Sequence, residues 1–188
     1  MSIKVDQVLD AKGLACPMPI VRTKKAMEQL KSGEVLEIQA TDKGSLADLK
    51  AWANSTGHQY LGTNEDGDVL LHYLRKADPS ETKEEVDFPH VISNSDLENK
   101  IGEAGITILD VREPAEHAFA RIPTSKSIPL GDLEARLGEL NQQDTIYVVC
   151  RTGSRSAMAA KLLTDNGFES VMNVKPGMSE WTGKVESN

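Results

Sequence analysis

Val148-Val149-Cys150-Arg151-Thr152-Gly153-Ser154-Arg155-Ser156 is the stretch on which the reading of this chain turns. An apolar, β-branched run ends in a cysteine, a short loop with glycine and two arginines follows, and then the sequence turns helical. The pattern predicts a buried strand over 145–150 and a helix over 156–166 closed by Gly167. A thiol at such a junction faces backbone N–H groups, the positive end of a helix dipole and two guanidinium groups. Each of these favours thiolate over thiol.

Cys150 is therefore expected to be a nucleophile. Arg151, Thr152, Gly153, Ser154, Arg155 and Ser156 are its expected anion-holding loop, with Gly153 permitting the tight turn. The competing explanation is a buried cysteine acting as a small hydrophobe at a strand end. A loop this rich in arginine argues against that. Phosphate chemistry is the closer rival, since cysteine phosphatases and arsenate reductases also join a cysteine to an amide loop and an arginine. Those families place five residues between Cys and Arg. Here four residues, Arg151 to Ser154, separate Cys150 from Arg155, and the smaller cradle suits one added sulfur better than a phosphate.

Working outward, 145–150 belongs to a series of strands alternating with helices. Strands are expected at 91–92, 106–111, 127–130 and 171–174, and helices at 94–101, 114–119 and 133–140, with a last turn at 179–181. Ser93 to Asp96 should cap the first of these helices. Such alternation implies a mainly parallel sheet covered on both faces, with ligands at the carboxyl ends of its strands. Asp110 and Cys150 both fall there.

The first part of the chain follows a different order. Residues 3–10 read as a strand, 20–31 as a helix opened by Pro17 and Pro19, and 34–41 as a second strand. A helix over 46–56 and a hairpin of 58–61 with 69–74, turning through 64–68, complete a β-α-β-α-β-β sandwich with two helices on one sheet. Between the two parts, residues 76–86 are polar and acidic with one proline, and read as a linker. The expected organisation is thus an α/β sandwich over 1–75, the linker 76–86, and a parallel α/β domain over 87–188.

The totals agree with two soluble units. The chain carries a net charge of −8, which argues against a general nucleic-acid binder. That charge is uneven, about −1 before residue 76 and −7 after it. The absence of a long apolar run excludes a membrane-spanning helix. The N-terminus lacks a secretory signal pattern, and two distant cysteines suit a reducing compartment, so a cytoplasmic location is expected.

Four further elements sharpen this reading. Asp110-Val111-Arg112-Glu113, the segment from Glu116 through Ile122-Pro123 to Ile128-Pro129-Leu130, the Cys150 loop, and Gly177-Met178-Ser179-Glu180-Trp181 together resemble a rhodanese domain over about 86–185. The resemblance implies that Cys150 accepts a sulfane sulfur as a persulfide and passes it to a thiol or to cyanide. It gives Asp110 and Arg112 a supporting role, with a simple internal salt bridge as the alternative. Rhodanese domains commonly carry Gly-His-Ile-Pro-Gly-Ala where this chain has Ala120-Arg121-Ile122-Pro123-Thr124-Ser125. Arg121 could bring positive charge to the mouth of the site or lie solvated at the surface.

Cys16, read from its own neighbours, is a thiol at a helix N-terminus, where the dipole should lower its pKa mildly. The pattern Asp10-x-x-Gly13-x-x-Cys16-Pro17-x-Pro19, followed by Gly44-Ser45, Asp48, Trp52 and Gly57-His58, resembles the TusA/SirA family of small sulfur carriers. This resemblance implies a persulfide on Cys16, with Pro17 setting the helix start and Pro19 in its first turn. His58, His72, His90 and His117 show no metal-ligand spacing with either cysteine, and Trp52 and Trp181 read as core.

The expected function is a sulfurtransferase that forms a persulfide on Cys150 and relays sulfane sulfur through Cys16 to a thiol acceptor. It would need no cofactor or metal beyond the covalent persulfide. Its partners would be a small sulfane-sulfur donor, a thiol or protein acceptor and other sulfur-relay proteins, with no nucleic acid and no membrane. A module that senses sulfide or polysulfide without turnover is the alternative.

Overall fold

A computed structural model describes residues 2–79 and 87–188. The chain divides into two compact units, Met1–Asp78 and Pro79–Asn188. Most of the expected linker, residues 80–86, lies outside the described residues.

In the first unit, β1 (Gln7–Ala11), α1 (Met18–Gln29), β2 (Val35–Ala40), α2 (Ser45–Thr56), β3 (Gln59–Asp66) and β4 (Val69–Arg75) follow one another. The four strands form one sheet in the order β1-β2-β4-β3. β1 and β2 are parallel, and the other two pairs are antiparallel. Ala26 and Met27 of α1 and Leu49 and Ala53 of α2 pack with Leu36, Ile38 and Leu74 in one core, so both helices cover the same face. Trp52 is partly buried at the rim of that core rather than inside it.

The hairpin differs from expectation. Its strands run through the predicted loop, pairing Asn64 with Leu71 and Asp66 with Val69, and leave Gly67 and Asp68 as the turn. β3 is an edge strand, where polar side chains can face water without loss of pairing. Gly67 takes the positive φ of +60° that the turn needs. Pairing also continues beyond residue 75. The Lys76 amide donates to the Glu34 carbonyl at 2.9 Å, and the Ala77 amide donates to His58 Nδ1 at 3.0 Å.

The second unit comprises β5 (Val91–Ser93), α3 (Asn94–Glu98), β6 (Ile106–Asp110), α4 (Pro114–Phe119), β7 (Lys126–Ser127), α5 (Leu130–Leu133), β8 (Thr145–Val149), α6 (Ser154–Asp165) and β9 (Val171–Lys175). All its strands are parallel, in the order β5-β9-β8-β6-β7. The helix expected over 133–140 is instead the single turn α5 followed by a 3-10 helix, Glu134–Glu139. Gly131 and Gly138 within this stretch are weak helix formers.

β8 shows why its sequence is almost continuously apolar. Ile146, Val148 and Cys150 pack on the face covered by α5 and α6, while Tyr147 and Val149 pack on the opposite face with Leu97 and Val174. Cys150 thus continues the alternation of β8 and carries its sulfur toward α6. Trp181 lies partly buried beside the second cluster.

Candidate functional site

The Cys150 loop is shorter than the sequence suggested. α6 starts at Ser154, so Ser154, Arg155 and Ser156 form its first turn, and Gly153 is the N-cap with φ +97°. No side chain caps this helix, and the sulfur itself occupies the turn: the Gly153 N–H donates to Cys150 Sγ at 3.1 Å. The thiol in turn donates to Ser156 Oγ at 3.3 Å, and the Ser156 hydroxyl donates to Asn173 Oδ1 at 2.5 Å. Cys150 is fully buried, at 0 % exposure.

Arg155, expected to add charge to the sulfur pocket, is committed elsewhere. It is buried and forms a two-pronged ion pair with Glu116 of α4, at 2.8 and 3.1 Å. Its positive charge is compensated by that carboxylate, which also speaks against the phosphate reading. The same Glu116 side chain accepts the Glu113 amide at 2.9 Å and closes a capping box on α4. Arg151 and Thr152 are half-buried at the loop.

Asp110 and Arg112 form the internal salt bridge. The guanidinium holds both carboxylate oxygens, with Nη2 at 2.6 Å from Oδ2, and Nη2 also donates to the Ala120 carbonyl at 2.7 Å. Both residues are buried, and the pair ties the end of β6 to the end of α4. Arg121 does not stand alone in solvent. Its Nη1 donates to Asn188 Oδ1 at 2.7 Å, and its backbone pairs with Glu186.

Several contributors lie far from Cys150 in sequence, and the sequence alone assigns none of them to its loop. Met178 and Ser179 donate their amides to the Cys150 and Arg151 carbonyls, each at 2.9 Å. Gly177 is required there: a Cβ would lie 2.6 Å from the Cys150 carbonyl oxygen, and φ is +98°. Asn94, the first residue of α3, holds Gly177 through both its amide oxygen and nitrogen. The Lys175 side chain passes over Gly153. Only the Gly177 to Trp181 motif offered a sequence signal for any of these.

Cys16 in the first unit is exposed. It precedes Pro17, the N-cap of α1, with Pro19 buried in the first turn. The expected lowering of its pKa is reversed. The Asp48 carboxylate accepts a hydrogen bond from the thiol and raises its pKa, with smaller contributions from desolvation and from the negative charges of Asp48 and Asp42. The influence of the nearby Asp48 carboxylate outweighs the fractional charge of a helix end.

Of the histidines, His72 is buried in a polar network. Ser45 Oγ lies 2.9 Å from its Nε2, and the Tyr60 hydroxyl 2.8 Å from its Nδ1, with Thr63 beside both. Burial, with a smaller contribution from Lys50, pushes its pKa down to about 4. Among the described residues, no group of three His, Cys, Asp or Glu side chains is placed to hold a metal ion. No helix among them is long and apolar enough to cross a membrane.

Comparison with known proteins agrees with this division. The family "Sulfurtransferase TusA" matches residues 7–76, and "Rhodanese-like domain" matches residues 93–184. "Putative sulfur carrier protein YrkF" of Bacillus subtilis is 52% identical over 184 residues, covering 98% of this chain and 100% of that protein. The sulfur carrier protein TusA of Allochromatium vinosum is 46% identical over 72 residues, covering 38% of this chain and 95% of its own. Among solved structures, the rhodanese-like domain of Anabaena sp. Alr3790 superposes with a TM-score of 0.50 at 28% identity, covering 54% of this chain and 81% of that one. A sulfur-carrier unit and a sulfurtransferase-like unit on one chain support sulfur relay as the general function. The chain belongs to the family that joins a TusA-type sulfur carrier domain to a rhodanese-like domain.

Proposed function

We propose that the protein is a rhodanese-type sulfurtransferase that loads sulfane sulfur on Cys150 and relays it through Cys16 to a thiol or protein acceptor. The observation that carries this reading is the Gly153 N–H at 3.1 Å from Cys150 Sγ, at the N-terminus of the 12-residue α6, with the Ser156 hydroxyl at 3.3 Å. The Gly153 N–H suits an anion on sulfur, either the thiolate or the persulfide, and the Ser156 hydroxyl lies within reach of it.

In the first step the Cys150 thiolate attacks the outer sulfur of a persulfide or of thiosulfate. A new S–S bond forms as the donor's own bond breaks, and the leaving thiolate or sulfite keeps the electron pair. The outer sulfur then stands about 2 Å beyond Sγ. In the second step the Cys16 thiolate attacks that outer sulfur, and Cys150 leaves as a thiolate. A thiol of raised pKa is a stronger nucleophile once ionised, which supports Cys16 as the receiver. Its exposure suits it to meet an acceptor. Sulfur moves as a covalent persulfide, with no cofactor or metal required.

The test is to load the full chain with a persulfide donor and map the added sulfur by mass spectrometry. Wild type should carry it on both cysteines, Cys16→Ser on Cys150, and Cys150→Ser on neither. Normal filling of Cys16 in Cys150→Ser would overturn the order of transfer. Absence of both loading and cyanide turnover in the wild type would overturn the enzyme in favour of a sensing module.

A further inference from the structure

Asn173 has no part in the steps above, yet its position calls for an account. It lies in the middle of β9 opposite Val148, at 0 % exposure, between the buried Val171 and Val174. A buried primary amide must find partners for both ends. Its backbone N–H goes to the His90 carbonyl at 2.8 Å, which fixes its place in the sheet. Both ends of its side chain go to the Cys150 loop. Oδ1 accepts the Ser156 hydroxyl at 2.5 Å, and Nδ2 donates to the Gly153 carbonyl at 3.2 Å. Those are the two residues that hydrogen-bond the sulfur, Gly153 as donor and Ser156 as acceptor.

Ser156 has a single hydroxyl proton. While Cys150 is a thiol, its S–H donates to Ser156 Oγ and Ser156 donates onward to Asn173, a chain with consistent polarity. Once the sulfur is an anion, that first donor is gone. The Ser156 oxygen would then turn lone pairs toward negative charge unless its hydroxyl swings from Asn173 to the sulfur.

We propose that Asn173 is a positioning residue for sulfur loading, which parks the Ser156 hydroxyl while Cys150 is protonated, yields it to the sulfur anion, and throughout holds Gly153 so that its N–H stays aimed at Sγ. This deepens the sulfurtransferase reading and rests on it. The chemistry balances without a redox partner: Cys150–SH and R–S–SH give Cys150–S–SH and R–SH. Asn173 exchanges hydrogen bonds, not protons.

The experiment uses the full chain with Cys16→Ser, so that Cys150 is the sole reporter, and glutathione persulfide as the probe. Initial loading rates are followed by intact mass from about pH 5.5 to about pH 9 at constant ionic strength. Asn173→Ala should slow loading roughly tenfold at neutral pH, and Ser156→Ala added to it should slow loading by less than it does in the parent. Asn173→Asp keeps the acceptor for Ser156, loses the donor to Gly153 and adds a negative charge. It should displace the rate–pH profile upward by about one unit, roughly a tenfold loss at fixed pH below the midpoint. A purely structural role would let the two alanine losses multiply, and that result overturns the proposal, as does an Asn173→Asp profile that does not move. If Asn173→Ala does not fold, Asn173→Ser takes its place in the same double-variant comparison. A parent protein that takes up no sulfur at any pH would instead sink the underlying sulfurtransferase reading, and the two failures are separable for that reason.

Discussion

Arg155 holds both carboxylate oxygens of Glu116, at 2.8 and 3.1 Å, and both residues are buried. The pair binds the first turn of α6, which carries the sulfur-facing Ser156, to the first turn of α4. It makes the arginine nearest the end of the Cys150 loop a structural cation rather than a free one.

Removal of one partner should therefore be costly. Glu116→Ala is expected to destabilise the rhodanese-like unit by about 3–5 kcal/mol, because it leaves a buried guanidinium without its carboxylate. Glu116→Gln, which keeps hydrogen-bonding capacity, should lose less. Urea unfolding followed through the transition of that unit checks the order, and a Glu116→Ala loss below that of Glu116→Gln would contradict it.

Gly177→Ala should disturb the opposite side of the loop. The new methyl would fall 2.6 Å from the Cys150 carbonyl oxygen and 3.0 Å from that of Arg151, on a backbone already at φ +98°. A loss of about 1–3 kcal/mol is expected from the strained conformation, together with slower loading of Cys150. Thermal unfolding and the mass-spectrometric loading assay read the two effects separately.

Asp48→Asn should make Cys16 more acidic. The wild-type carboxylate favours the protonated thiol, so removing its charge lets the thiolate appear at lower pH. In a Cys150→Ser background, the pH profile of iodoacetamide alkylation should move downward. An unmoved profile would show that Asp48 does not govern this thiol.

His72 predicts a pH dependence for the first unit. Its pKa is pushed down to about 4 when folded, against about 6.5 in an unfolded chain. Below about 6.5 the unfolded state takes up a proton that the folded state refuses, so stability is full above that pH and falls as pH drops toward 4. The loss should be of order 3 kcal/mol. Denaturant titrations between these pH values should show it, and His72→Gln should flatten the slope.

Much of this was open to reading from the chain. The alternation of β8, the Arg/Gly loop and the prolines after Cys16 mark both thiols, because each signal lies within a few residues of its cysteine. α6 starts two residues earlier than the sequence suggests, because Ser154 and Arg155 read as loop whereas Gly153 in a left-handed conformation lets the helix begin beside it. The hairpin turn was drawn too long because polarity at 64–66 reflects an edge strand rather than a loop.

Two α/β units are legible in the chain alone, with a cysteine at a strand-to-helix junction in one and a cysteine before a proline-opened helix in the other. Local backbone geometry and side-chain periodicity suffice for that, since they act over a turn or a strand. What each thiol feels depends instead on long-range packing. Asp48 reaches Cys16 from another helix, Glu116 takes the charge of Arg155, and Asn173 meets Ser156 from a neighbouring strand. Hydrogen bonds and ion pairs act over about 3 Å, and it is the packing of the sheet and its helices that brings residues so far apart in the chain within that range.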